Sequence, residues 1–379
     1  MEFTAILNLR ASPAQMGLLG ATGTAPVLLI GLLAGVWVDR VRRRPLLVAA
    51  DLGRAVLLLI IPLGLLLGAL RIEHLYVLAA LVGTLTVLYS VADQSALPGL
   101  VRREELVEAN SRLGLSESLS EVGGQALGGS LVQWLTAPIA VLLDAASFVV
   151  SALFLTRIRT PEALPPKPEE RGSVLAEIRD GLRFVGAEPR LRALALAAAA
   201  TSFFGNFYGT LYALYLLRDL GFSPALVGIS VAAGGVGSLV GATLAAPVTR
   251  RLGVGPALIL CRLVSCLLGL LIPLAGGPRA LAIGMVLAAQ FAGDIKGAIA
   301  AINETSLRQA VIPHRFLGRA SASLDVLVQG AIPLGSLAGG VLGGLIGLRP
   351  TLLVASAGIL LANLWLLTGP VRTVRELPA

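Results

Sequence analysis

The sequence predicts an all-α membrane protein built from two parallel six-helix halves, of which eleven membrane spans are visible. Three observations lead to this prediction: a strongly apolar composition, long apolar segments from end to end, and an internal repeat. Of the 379 residues, 56% are hydrophobic and only 14% are charged, whereas a soluble domain carries about 25% charged residues. The chain therefore has too little polar surface for a soluble protein of this length.

Eleven apolar segments are long enough to cross a bilayer as tilted helices. They lie at residues 15–38, 46–70, 75–99, 107–135, 137–157, 191–217, 225–249, 256–276, 280–303, 318–346 and 350–369. The predicted organisation is an N-terminal half-bundle, a cytoplasmic linker with an amphipathic helix, and a C-terminal six-helix half-bundle. These three parts cover residues 1–158, 159–190 and 191–379.

The basic residues predict the orientation in the membrane. Of the 30 Lys and Arg residues, 21 fall in one alternating set of loops, which includes the C-terminus, and five in the other. Because cytoplasmic loops carry the excess of positive charge, we expect a multi-pass protein of the bacterial inner membrane with a cytoplasmic C-terminus. The net charge of +8 then reflects membrane orientation, and no nucleic-acid partner is predicted.

An internal repeat relates the two halves at a shift of 211 residues. The aligned pairs include Ser12-Pro13 with Ser223-Pro224, Gly17 with Gly228, Gly129 with Gly340, and Asp93 with Glu304. The segment at 191–217 opens the second half, and only Met1–Leu9 can match its outer end, so most of the first helix is missing. We expect a misassigned start, a truncated chain or a protein that works with eleven spans.

The loop from Gly35 to Pro45 reads G-V-W-V-D-R-V-R-R-R-P. It resembles motif A of the major facilitator superfamily, G-x-x-x-D-R-x-G-R-[RK], with Arg42 at the second glycine. The form D-R-x-x-R-R is similar to the macrolide-efflux and enterobactin-exporter branch. The resemblance implies the major facilitator fold and a cytoplasmic gate, where glycine permits close helix packing; a positive-inside anchor without a gate is the alternative. The predicted gate residues are Gly35, Asp39, Arg40, Arg43, Arg44, Asp93, Arg250, Arg251 and Glu304.

Within this gate, an acid at the cytoplasmic end of a helix pairs with motif A arginines in the resembled family. We therefore expect Asp93 to pair with Arg43 or Arg44, and Glu304 to pair with Arg250 or Arg251. The alternative is that both acids only reach towards water at the interface. The sequence G-G-Q-A-L-G-G that ends at Gly129 resembles motif C of antiporters, which implies export; close helix packing is the alternative.

Acids inside the spans are candidates for proton coupling because burying a charge is expensive. Glu117 and Glu121 lie one turn apart on one helix face, so that simultaneous ionisation of both is disfavoured. Asp294 has Gln290 one turn before it, and Asp144 and Asp325 are weaker candidates. Structural ion pairs are the alternative, for example with Arg112 or Arg262.

Aromatic residues are concentrated in the segment 191–217, where six of the fifteen Phe and Tyr residues fall within 203–215. The resemblance implies that this helix lines a central cavity, and aromatic walls suit bulky, apolar or cationic ligands. Lipid-facing aromatic residues are the alternative. The predicted substrate-cavity residues are Tyr89, Phe204, Phe207, Tyr208, Gln290 and Phe291.

These features predict a proton-coupled secondary transporter that exports small amphipathic molecules by alternating access, as a monomer in the lipid bilayer. The alternatives are a dedicated exporter of a siderophore or lipid-like metabolite, the membrane subunit of an ATP-driven pump, and a non-transporting truncated fragment. The chain contains no Walker A sequence, and its two Cys and two His residues suggest no metal site. We therefore predict no enzyme activity, no cofactor and no metal.

Overall fold

The computed structural model describes residues 1–38, 41–96, 106–158, 183–312 and 317–374. Within these ranges the chain forms helices and no β-strand, which confirms the predicted all-α class. The predicted gate residues Asp39 and Arg40, and residues 159–182 of the predicted linker, lie outside the described residues. The helices are α1 (Glu2–Leu7), α2 (Pro13–Val38), α3 (Arg43–Leu66), α4 (Ile72–Ala96), α5 (Leu106–Leu135), α6 (Ala137–Arg157), α7 (Pro189–Arg218), α8 (Pro224–Leu252), α9 (Val254–Gly269), α10 (Leu271–Leu274), α11 (Arg279–Val311), α12 (Leu317–Ile346) and α13 (Leu348–Thr368), followed by a 3-10 turn (Pro370–Thr373).

Nine spans among the described helices are long and apolar enough to cross a membrane, α9 and α10 together forming one of them. The other two predicted spans correspond to α5 and α7. Both are helices of 30 residues, but their polar residues make them less apolar than the nine candidate spans. We refer to α1–α6 as the first half and to α7–α13 as the second half.

The helix boundaries repeat at the offset of 211 residues. Adding 211 to both ends of α5 gives both ends of α12, and the same holds for α6 and α13. The starts of α2 and α8 and the ends of α1 and α7 obey the same offset. The repeat that the sequence suggests is therefore also a repeat of three-dimensional structure, and α1 corresponds to the last six residues of α7.

The ends of the helices repeat in their local chemistry as well. Ser12 and Ser223 each accept a backbone N–H bond three residues later, at 3.2 and 3.4 Å, and a proline follows each serine as the first helical residue. Serine caps the free N–H groups, and proline gives up an N–H that has no helical partner. The Ser-Pro pairs therefore mark equivalent helix starts in both halves.

Two helix crossings hold the halves together, and a pseudo-two-fold relation makes them equivalent. α2 crosses α12 at Gly17 and Gly340, while α8 crosses α5 at Gly228 and Gly129, the same positions shifted by 211 residues. A methyl group added to Gly17 would lie 2.8 Å from the Cα of Gly340, and one added to Gly129 would lie 2.9 Å from the Cα of Gly228. Only glycine lets the helix backbones approach this closely.

The buried core is shared at one end of the bundle and divided at the other. At the end that contains these glycine crossings, one cluster joins Ile61 and Leu75 of the first half to Leu211, Tyr215 and Leu352 of the second. At the opposite end, the first half has a separate cluster around Val38, Leu47 and Ala92, and the second half has clusters around Leu258, Leu307, Leu191 and Leu324. We call these the closed end and the open end.

The backbone of Thr136, between α5 and α6, is strained, and comparison with the equivalent residue of the second half shows why. Its φ and ψ are 78° and 157°, a region that is essentially restricted to glycine. The equivalent residue in the second half is Gly347, with 89° and 164°. The first half therefore keeps a β-branched residue where the second half has the residue that this backbone favours.

We expect Thr136→Gly to raise the free energy of unfolding by about 1 kcal/mol, because it relieves this strain. Gly347→Thr should have the opposite sign. Thermal unfolding of the purified protein in detergent measures both. A lower midpoint for Thr136→Gly would show that the Thr136 side chain contributes more than its backbone conformation costs.

Candidate functional site

Two cavities lie between the halves. Cavity A, of 1080 Å³, is lined by α1, α5, α6, α7, α8, α9, α11 and α13, and cavity B, of 1110 Å³, by the N-terminal residues and by α2, α4, α7 and α12. Both are slightly larger than the roughly 300–1,000 Å³ typical of sites for drug-sized molecules. Side chains that line them include Gln125, Asp144, Tyr208, Tyr212 and Gln290 for cavity A, and Thr24, Thr210, Asp325 and Gln329 for cavity B.

Of the six predicted substrate-cavity residues, Tyr208 and Gln290 line cavity A. The Tyr208 hydroxyl lies 2.6 Å from Ser356 Oγ, which orients the ring between α7 and α13. The other four line neither cavity as described. Phe207 is buried against Gly339, Phe204 covers Gly358, Phe291 is 40% exposed, and the Tyr89 ring stacks on Arg54.

Sequence reasoning missed several cavity residues, among them Thr210, Gln329 and Tyr212. The Tyr212 hydroxyl lies 2.8 Å from Ser230 Oγ and so connects α7 to α8. Isolated Thr and Gln residues in an apolar helix give no periodic signal, because hydroxyls often bond to their own helix backbone. Tyr212 falls within the predicted aromatic cluster, so its position could have been inferred from that cluster.

Among the predicted proton-coupling residues, Asp294 has the most constrained surroundings. Its carboxylate on α11 lies over Gly234 of α8, in space that a methyl group would occupy. The equivalent first-half position is Gly83, which packs on the backbone of Gly23 and the ring of Pro26. The crossing of α8 with α11 in the second half therefore contains an acid, whereas two glycines form the equivalent crossing of α2 with α4 in the first half.

The two other predicted proton-coupling acids lie on α5. Glu117 is exposed, and its carboxylate is within electrostatic range of Asp93 on α4. The side chain of Glu121 and the surroundings of Gly35 lie outside what the structure describes. Glu117 and Asp93 both lie towards the open end, where α5 begins and α4 ends.

Arg44 of the predicted gate joins the start of α3 to the end of α6. Its Nε donates a 2.9 Å hydrogen bond to the carbonyl of Leu155, and a terminal nitrogen donates to the carbonyl of Thr156. These carbonyls lie at the negative end of the helix dipole, where a cation is stabilising. Arg44 therefore fastens two helices of the first half at its open end.

Glu304 is ion-paired to arginines other than the predicted ones. Its carboxylate accepts a hydrogen bond from Arg262 of α9 and lies 3.9 Å from Arg308 of α11. The predicted partners Arg250 and Arg251 are exposed at the end of α8. The partner prediction is thus wrong for Glu304, because its carboxylate faces Arg262 of α9 and not the end of α8.

The same layer of the first half holds a second buried ion pair, which sequence reasoning missed. Asp51, equivalent to Arg262 at the 211-residue offset, pairs with Arg54, and both are less than a tenth exposed. The Arg54 guanidinium lies 4.4 Å from the ring centroids of both Tyr89 and Phe148. Stacking between two aromatic faces partly offsets the cost of removing this cation from water.

At the closed end, Arg218 connects the halves directly. It donates a 2.7 Å hydrogen bond from the end of α7 to the carbonyl of Ala11, just before α2. Next to it, burial raises the pKa of Asp219 above its ordinary value, while Arg349 and Arg218 oppose this shift. Arg349 also donates to the carbonyl of Ala275 at 2.7 Å, so basic side chains link loops and helices across this end.

A family model described as transmembrane secretion effector matches residues 5–378. The chain belongs to this family of the major facilitator superfamily. Its similarity to curated relatives extends over nearly its whole length. It is 27% identical to the uncharacterized MFS-type transporter YfiS of Bacillus subtilis (strain 168), a match that covers 96% of this chain and 87% of the relative. It is 28% identical to the multidrug efflux pump Tap of Mycolicibacterium fortuitum, with 94% and 87% covered.

Solved structures show the same superfamily fold. A bacterial homologue of the iron transporter ferroportin in the inward-facing state has a TM-score of 0.72 and 20% identity, over 97% of this chain and 93% of the other. A bacterial homologue of the lysosomal transporter Spinster in an inward-facing, occupied conformation has a TM-score of 0.72 and 17% identity, over 96% and 90%. The major facilitator chain is thus a multi-pass membrane transporter and not an enzyme.

In this transporter, the buried Arg262–Glu304 pair should show strong energetic coupling. Breaking a buried ion pair by removing one partner costs about 3–5 kcal/mol, whereas replacing both with apolar residues costs much less. We expect Arg262→Met and Glu304→Leu each to lower the free energy of unfolding, and the double variant to lose less than their sum by about 2 kcal/mol. Unfolding in detergent measures the cycle, and additive losses would contradict the coupling.

Proposed function

We propose that the protein exports small amphipathic molecules in exchange for protons, by alternating access between its two halves. The main support is the shared core at the closed end, the divided cores at the open end and the two cavities between the halves. In transporters of this kind, the two halves rock around a site near the middle of the membrane. A single chain encloses both cavities, which supports a monomer as the transporting unit.

The orientation follows from charge. The basic loops, with Arg43, Arg44, Arg250 and Arg251, lie at the open end of the bundle, and an excess of Lys and Arg marks the cytoplasmic side. The open end is therefore assigned to the cytoplasm, together with the C-terminus, in a bacterial inner membrane. In this state cargo would enter the cavities from the cytoplasm, which is the loading step of an exporter.

Export requires the glycine crossings to separate while the open end closes. Gly129, the last residue of the motif C-like sequence, forms one of these crossings with Gly228. At the other end, Asp93 with Arg43 or Arg44 is the candidate latch for the alternative state, whereas Glu304 and Arg262 are already paired in the present one. Opposite charges that meet only when the cytoplasmic side closes would favour the outward-open state.

Proton coupling is assigned first to Asp294. Its carboxylate lies in the crossing of α8 with α11, one turn from Gln290 in the wall of cavity A. Protonation removes a charge from this crossing, so the free energy of packing α8 on α11 depends on whether a proton is bound. Glu117 and Glu121 on α5 are further candidates for the same exchange.

We expect Asp294→Asn to abolish the coupling of transport to a pH gradient while leaving substrate binding in place. The measurement uses purified protein in liposomes, a panel of cationic, neutral and anionic amphipathic dyes, and a pH indicator inside the vesicles. Glu73→Gln, which removes an acid at the outer start of α4, is the control. Unchanged efflux after collapse of the pH gradient in the wild-type protein would contradict proton coupling.

A second test addresses the crossings. Gly129→Ala should slow transport at least tenfold, because a methyl group there would lie too close to the backbone of Gly228 and Pro224. Gly123→Ala is the matched control on the same helix, since a methyl group at Gly123 has no neighbour within 4 Å. Equal transport rates for the two variants would show that the crossing does not limit the conformational cycle.

A further inference from the structure

Cavity B carries a negative charge that its own wall does not balance. The chain has 30 basic residues against 22 acidic ones, yet the described residues that line this cavity include no Lys, Arg or His. Its ionisable groups are Asp325, Glu2 and the α-amino group of Met1, and the last two interact with each other. The Asp325 carboxylate is exposed, and no described residue forms an ion pair or hydrogen bond with it.

Cavity B also contains a buried hydroxyl without a partner. Thr210 is 5% exposed, and its Oγ1 accepts or donates no hydrogen bond within the described structure. Buried polar groups are nearly always hydrogen-bonded, so an orphan in a cavity wall suggests a ligand. The hydroxyls of Thr24 and Thr86 differ, because they bond to carbonyls of their own helices at 2.9 and 2.8 Å.

The available polar groups lie at opposite ends of the cavity. Asp325 and Ser336 are eleven residues apart on α12, which corresponds to about 16 Å along the helix. Thr210 lies beside Ser336, since a methyl group added to Gly20 would be 3.3 Å from the hydroxyl oxygens of both. Between the two ends the wall is mainly aliphatic, with Met16, Leu19, Val27, Leu28, Val82 and Val87.

We propose that cavity B binds elongated amphipathic cations, with the positive group at Asp325 near the open end and the apolar body directed towards Thr210. This inference rests on the proposed export function and specifies its substrate class. The carboxylate attracts the cation in a site whose apolar walls weaken screening by water. Gln329, one turn from Asp325 on the same face of α12, offers an amide oxygen to an ammonium group.

The test uses two rod-shaped fluorescent probes with the same apolar body, trimethylammonium-diphenylhexatriene as the cation and diphenylhexatriene propionate as the anion. Binding is measured on the full chain in nanodiscs, with empty nanodiscs subtracted. We expect the wild-type protein to bind the cation at least tenfold more tightly than the anion. Asp325→Asn should lower cation affinity about tenfold without weakening anion binding, and Asp325→Glu should retain the preference.

Glu108→Gln is the control, because it removes an exposed carboxylate that lines neither cavity; it should leave both affinities unchanged. An equal loss of cation affinity in Glu108→Gln, or no loss in Asp325→Asn, would overturn the assignment of the cation to Asp325. Because this experiment measures binding and not transport, its result can be distinguished from a test of the proposed export function. A cation site that depends on Asp325 in a protein without proton-driven efflux would contradict the exporter, whereas efflux without this dependence would contradict the site alone.

Discussion

The close approach of helix backbones at two glycine crossings is the constraint on which the rest of the structure depends. At each crossing a glycine of one half lies against a glycine of the other, with a proline and a polar residue completing the contact: Pro13, Gly17, Ser336 and Gly340 in one, Pro224, Gly228, Gln125 and Gly129 in the other. These contacts join the halves at the closed end, whereas the clusters at the open end belong to one half each. The two cavities lie between the halves, and cavity A reaches the crossing of Gly129 with Gly228.

Duplication explains why the two crossings match, and later divergence explains why the two halves carry different charged residues. The backbone features repeat: serine caps, helix ends and glycine contacts. Asp93 and Glu304 keep an acid at equivalent positions, but other charges inside the bundle do not repeat. Asp51 in the first half corresponds to Arg262 in the second, and Gly83 corresponds to Asp294. A helical frame tolerates such exchanges as long as each buried charge finds a partner, as Asp51 finds Arg54 and Arg262 finds Glu304. The acid in the α8–α11 crossing therefore belongs to the second half alone.

Most of the fold could be predicted from sequence, because the length of the apolar segments and the 211-residue offset can be recognised without knowing where each side chain points. The cavity-lining residues and the ion pairs could not be predicted in this way, because they depend on the direction of each side chain. Phe207 and Tyr208 are neighbours, yet one is buried against α12 and the other lines cavity A. Successive residues on a helix point about 100° apart, and a helix that is apolar all round gives no periodicity that sets its rotation. The same uncertainty led to the predicted pairing of Glu304 with Arg250 and Arg251, which are exposed at the end of α8.

The distribution of charge then connects orientation to selectivity. Basic residues concentrate in the loops, the pattern that the positive-inside rule describes, and the described walls of the two cavities contain the acids Glu2, Asp144 and Asp325 but no basic side chain. A protein with a net charge of +8 would repel cations if its positive charge were spread evenly. Because Arg54 and Arg262 are paired with acids, a cation that enters the described parts of the cavities meets acids and no basic side chain. The proposed orientation and the proposed preference for cationic cargo would thus both follow from one separation of charge.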